Sequence, residues 1–200
     1  VSRSQRAAER RAQILSRALE VFAERGYHGA SVSHVVKAAG VARGTFYLYF
    51  DSKEAVFREL LDQLLQTFRA SVRGMELGPS AAPMADQLQG ILVQILMTAE
   101  QNRALTRIIF REAVGLDAAV DEKLQGFNDG LHAWLVAALT VGEGLELVRP
   151  SEREVVATCI MGAVRQVIDR YVVQTDAPFD AEAVSGAVVR YSLQGVGIPG

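Results

Sequence analysis

At 200 residues, half of them apolar, the chain can bury a sizeable core, as one compact unit or as two closely packed ones. Its single cysteine, Cys159, excludes an intrachain disulfide and a thiolate metal cluster and points to a reducing cytoplasm; no apolar run approaches the roughly 20 residues of a membrane span. The net charge of -2 hides an asymmetry: residues 1–60 carry ten Arg or Lys against six Asp or Glu, a net of +4, while residues 61–200 carry eleven against seventeen, a net of -6. A polyanion is therefore expected to meet one end of the molecule only.

The first eleven residues, VSRSQRAAERR, read as a polar arm frayed at its start, able to lie along phosphates or in an adjacent minor groove; a solvated tail is the alternative. Ile14, Leu15, Ala18, Leu19, Val21 and Phe22 then recur at three- and four-residue steps, which predicts an amphipathic helix ended by Gly26. From Ser33 to Ala39 a short helix is expected, started by Ser31 or Ser33 and left at Gly40, a residue tolerant of positive φ. A second follows from Arg43 to Phe50, with Val41 and Phe46 inward and Arg43, Thr45, Tyr47 and Tyr49 outward.

Two short helices across a tight turn make a helix-turn-helix, which sets the N-terminal residues of its second helix against base edges in the major groove. There an arginine can read guanine with two parallel hydrogen bonds, and Thr and Tyr hydroxyls can reach bases or phosphates. Asp51 and Glu54 have capping-box spacing at the start of the next helix, which would aim Lys53 and the helix N-terminus at the same phosphates. Taken singly, Tyr47 and Tyr49 also suit half-buried aromatics, and Lys53 a solvated charge.

The segments ILSRALEVFAERGY, SVSHVVKAAGVARGTFYLYF and DSKEAVF, from about Ile14 to Phe57, resemble the N-terminal domain of the TetR family of bacterial transcriptional regulators. Carried over position by position, the resemblance implies base or phosphate contacts from Ser33, Arg43, Gly44, Thr45, Tyr47, Tyr49 and Lys53. The chain departs from the family pattern at Val36, where many members have Ala, at Ala42, where many have Ser, and at Leu48, where an aromatic or polar residue is frequent.

Beyond Asp51, Val56, Phe57, Leu60, Leu61, Leu64, Leu65 and Phe68 keep a helical period to about Val72, in a helix long enough to carry a displacement from the body of the protein to the DNA-binding end. A loop is expected from Gly74 to Pro83, then helices from Met84 to Glu100, Arg103 to Val114 (stopped by Gly115) and Asp117 to Val141. Val148, Arg149 and Pro150 break the pattern, Ser151 and Glu154 suggest a capping box, and helices follow from Glu152 to Val173 and after Pro178.

Phe68, Ile95, Phe110, Phe127, Leu131 and Trp134 suit the lining of a pocket for a hydrophobic or amphipathic effector, with Arg107, Asn128 or His132 as polar anchors; ordinary core is the alternative for each. On the last two helices, Val156, Ile160, Ala163, Val167 and Tyr171 with Val184, Gly186, Ala187, Val188 and Tyr191 suit a four-helix bundle across a two-fold axis, and equally the completion of a monomeric core. The resemblance implies the dimer.

The expected fold is all-α, about nine helices: a helix-turn-helix DNA-binding domain over 1–52 and a larger effector-binding and dimerisation domain over 53–200. The expected function is a homodimeric repressor, held on a palindromic double-stranded DNA operator and released by a small effector, with no membrane partner. An activator or architectural DNA-binding protein without a ligand is the alternative. No enzyme is expected, since His28, His34 and His132 lack metal-ligand spacing, no glycine-rich phosphate loop is present, and Cys159 sits on an apolar face where burial would make it inert. No cofactor and no metal are expected.

Overall fold

The computed structural model describes residues 2–72, 76, 80–113, 115–147, 149 and 152–195, which are helical and free of strands. Ser2 and Gln5 form a reciprocal cap, the Ser2 hydroxyl accepting from the Gln5 amide at 3.1 Å and the Gln5 side chain from the Ser2 amide at 2.7 Å. Helix α1 (Arg3–Gly29) therefore starts eight residues before the polar stretch ends, and the expected arm is its first turns. Gly26 departs from helical geometry at φ 69°, as its position in the sequence suggested, but one more turn follows before the chain leaves.

Helix α2 (Val32–Ala39) begins on Ser31, whose hydroxyl accepts from the His34 amide, and ends on Gly40 at φ 63°. Helix α3 (Arg43–Tyr47) is shorter than the expected Arg43–Phe50. After Tyr47 the amides of Leu48 and Tyr49 bond three residues back, to Thr45 and Phe46, so the last turn tightens. Phe46 and Phe50 are both buried, which is why the apolar spacing looks helical across this turn.

Helix α4 (Lys53–Ser71) is capped by Ser52, whose hydroxyl accepts from the Ala55 amide at 3.1 Å, one residue beyond the expected Asp51. Its buried stripe is Val56, Phe57, Leu60, Leu61, Leu64 and Leu65, as the period predicted. Helix α6 (Arg103–Arg111) stops short of the expected Val114, which lies outside the described residues; the Glu112 carboxylate instead accepts from the Tyr27 amide at 2.8 Å.

Helices α1 to α3, α4 as far as residue 66, and α6 belong to a first compact unit, made of residues 1–66 and 102–121, in which α1 packs on α2 and on α6. Its core stacks Phe22, Tyr27 and Phe57, with ring centroids 5.0 to 6.1 Å apart.

A second unit holds residues 67–101 and 122–200. It contains α5 (Met84–Gln101), most of α7 (Ala118–Gly144), α8 (Arg153–Ile168) and α9 (Ala181–Gly195). Helix α9 packs on α5 and α8, and the Gln89 amide donates to the carbonyl and the carboxylate of Glu182. Leu139 of α7 and Ala157 of α8 are buried together, with Leu135, Val136 and Val156 around them. At Asp169–Val173 the last helical turn of α8 widens to π geometry and buries the consecutive Val172 and Val173. Residues 74, 75 and 77–79 of the expected loop, together with Val148, Pro150 and Ser151 of the expected break and cap, lie outside the described residues.

Candidate nucleic-acid interface

The outer face of α3 is built by spacing. Positions 43, 44, 47 and 48 lie one and four residues apart, so they share one side of the helix, opposite the buried Phe46. Arg43 and Gly44 are exposed, and a side-chain carbon at Gly44 would meet nothing within 4 Å. Tyr47 is 45% exposed and Leu48 81%. The Arg43 guanidinium donates to the Tyr47 hydroxyl at 3.4 Å and lies over its ring at 5.8 Å, so the two present a joined cationic and hydroxyl edge. Thr45 and Tyr49 are half-buried at the margin of this face, and Ser33 is exposed on α2. The face offers donors, a bare backbone and one large aliphatic group.

Two basic residues are committed elsewhere. The Lys53 ammonium donates to the carbonyls of Tyr27 and Ala30 at 3.0 and 3.1 Å and lies 4.4 Å over the Tyr27 ring, so it closes the C-terminal end of α1. Arg11, in the expected arm, pairs with Glu59 and stacks on Phe50 at 4.6 Å. Both tie α1 to the helix-turn-helix and to α4.

Beside Lys53, the Tyr27 hydroxyl donates to Glu54 at 3.2 Å. Burial drives the Tyr27 phenol well above its ordinary value, and the Glu54 charge adds to the rise, so Tyr27 stays a proton donor. Burial acts upward on Glu54 too, but its own backbone amide, the Ser52 and Tyr27 hydroxyls and the Lys53 charge outweigh it and hold the carboxyl below its ordinary value.

The expected effector residues fall in both units. Arg107 and Phe110, on α6, are half-buried members of the first. In the second, Phe68 and Phe127 are in ring contact at 6.3 Å, with Arg69 5.7 Å over the Phe127 ring. Ile95 and Leu131 are half-buried and Asn128 is exposed. Trp134 lines an open groove with Met84, Ala137, Ala138, Val141, Leu145 and Leu147. His132, a possible anchor, reaches across to α8, 3.2 Å from the Thr158 hydroxyl and 3.6 Å from the Glu154 carboxylate.

On the last two helices Val156, Ile160, Ala163, Val167, Val184 and Val188 are half-buried, while Tyr171, Ala187 and Tyr191 are exposed. Gly186 is buried within the chain, where an added side-chain carbon would sit 3.2 to 3.4 Å from Arg190 and Gln89, so its smallness serves packing on α5. Cys159 is exposed on the single chain, contrary to the burial expected of it.

A helix-turn-helix head with a donor-bearing outer face, joined to a second helical unit, defines a DNA-binding regulator class of protein. The model described as bacterial regulatory proteins, tetR family, matches residues 14–60. The fatty acid metabolism regulator protein of Bacillus subtilis is 28% identical over 195 residues, spanning 92% of this chain and 94% of that protein. The fatty acid degradation regulator FadR of Bacillus halodurans superposes with a TM-score of 0.72 at 26% identity, over 95% of this chain and 97% of that one. FadR of Bacillus subtilis in complex with stearoyl-CoA superposes at 0.71 with 25% identity, over 92% and 98%. Residues 14–60 thus match the DNA-binding domain of the TetR family, and over nearly its whole length the chain is similar to TetR-family transcriptional regulators, which supports a ligand-responsive regulator that binds DNA.

Proposed function

We propose that the chain is a homodimeric repressor that holds a palindromic operator and releases it when an amphipathic acyl-CoA-like effector binds. The observation that carries the DNA part is the outward face of α3, where Arg43 and Tyr47 stand joined beside an unobstructed Gly44. In this reading residues 1–52 read DNA, with base or phosphate contacts from Ser33, Arg43, Gly44, Thr45, Tyr47 and Tyr49, and residues 53–200 bind the effector and pair two copies. Lys53 acts by fixing the end of α1, which sets the height of the head over the phosphates.

The effector class is supported by the full-length similarity to a fatty acid metabolism regulator and by the relative captured with stearoyl-CoA. An acyl chain suits apolar surface of the kind that Phe68, Phe127 and Trp134 supply within the second unit. Release requires the effector to favour a state in which the two heads no longer match the half-site spacing, about one helical turn of DNA.

Selection of bound duplexes from random DNA, followed by titration with stearoyl-CoA, tests this. A short inverted repeat that the acyl-CoA releases is expected. Sequence-indifferent coverage would favour an architectural role, and an inverted repeat unaffected by acyl-CoAs of every length would remove the effector class while leaving the operator.

A further inference from the structure

Leu48 is the most exposed large apolar side chain among the described residues, at 81%, in a unit where Leu15, Leu60, Leu61, Leu64, Leu65 and Leu105 are at most 6% exposed and Leu19 and Leu116 are half-buried. It stands four residues after Gly44, on the same outer side of α3, and Gly44 leaves the backbone there open to close approach. Isobutyl groups cannot satisfy phosphate oxygens, and pressing one against them would strip water from a charge without return. In the major groove only one base edge carries an apolar group, the C5-methyl of thymine. We propose that Leu48 is a specificity-determining residue that selects thymine in each half-site by burying that methyl.

The inference rests on the DNA-binding reading above and adds to it a base and a residue. It also separates the roles on the face, with Arg43 and Tyr47 supplying hydrogen bonds and Leu48 a contact that no hydrogen-bond donor could replace.

Replacing thymine by uracil removes the methyl and nothing else, so the test can be made on the DNA with the full-length protein intact. In the duplex recovered by selection, thymines are changed one at a time to deoxyuridine, symmetrically in both half-sites, and affinity is measured by fluorescence anisotropy for the unaltered protein and for Leu48→Ala. One symmetric pair is expected at which uracil weakens the unaltered protein by roughly fourfold per half-site, the worth of a buried methyl-sized group. At that pair Leu48→Ala should bind thymine and uracil duplexes within about twofold of one another. Uracil tolerated at every position, or an equal loss in both proteins, overturns the inference and leaves the DNA-binding reading standing. Recovery of no preferred duplex overturns both.

Discussion

Lys53 and Tyr47 stand six residues apart in a motif whose members share one expected role, yet their side chains do different work. Lys53 places its ammonium on two backbone carbonyls and an aromatic face, while Tyr47 keeps its ring outward with Arg43. Hydrogen bonds from a charged group contribute about 1.5–3 kcal/mol, and loss of this one leaves two carbonyls at the end of α1 without it. Lys53→Ala is therefore expected to lower the unfolding free energy by about that amount in urea titration, with a smaller loss of operator affinity that follows from the destabilised head. Tyr47→Ala should leave stability within about 0.5 kcal/mol and weaken the operator directly. Equal urea midpoints for Lys53→Ala and the unaltered protein would place the ammonium in solvent and return it to the phosphates. Sequence spacing could rank Lys53 as part of the motif because the motif is local. Its acceptors lie at Tyr27 and Ala30, more than 20 residues upstream, where no local pattern announces them.

Among the elements, interior periodicity was legible and ends were not. The buried stripes of α1 and α4 follow the apolar spacing except at Leu19 and Phe68, which are only half-buried, since burial on one face is what that spacing encodes. The end of α3 was misread because Phe46 and Phe50 sit four apart on either side of a tightened turn and still both face the core. The start of α1 was missed because a capping box made of Ser2 and Gln5 lies in a stretch whose many arginines look solvated. Glycines divide in the same way. Gly26 is held at φ 69° and a side-chain carbon there would come within 3.3 Å of the Glu112 carboxylate. Gly26→Ala should cost about 1–3 kcal/mol for a backbone, at φ 69° and ψ 162°, that essentially only glycine adopts, with further loss if the Glu112 contact to the Tyr27 amide is pushed apart. Gly44 has no such constraint, so Gly44→Ala should hold or gain up to about 1 kcal/mol of stability while lifting α3 from DNA. Thermal melts and operator titrations on both variants check the contrast; a stable Gly26→Ala protein would mean that the kink is not required.

For the molecule as a whole, the charge division and the apolar last helices pose one requirement between them. A head of net charge +4 carried by a single short reading helix offers few base contacts, and specificity for a full site calls for two heads held at fixed spacing. The surface we propose for that pairing is on α8 and α9, where Val155 is 59% exposed and Tyr191 72%, with Cys159 and Ala187 also outward. Large apolar side chains left in water on neighbouring helices are what an isologous interface would cover, and they also account for an outward cysteine on an apolar face. If a second copy covers them, placing a carboxylate at Tyr191 should be disruptive out of proportion to its effect on the single chain, because an exposed position tolerates charge until a partner buries it. Tyr191→Glu is expected to weaken self-association by at least about 2 kcal/mol, some 30-fold in the dimer dissociation constant, as measured by sedimentation equilibrium, with the thermal midpoint of the separated chains little changed. Operator binding should then lose its preference for a palindrome over an isolated half-site. A variant that still sediments as a dimer would move the interface off α9, and an unaltered protein that stays monomeric at micromolar concentration would remove the pairing on which the palindrome depends.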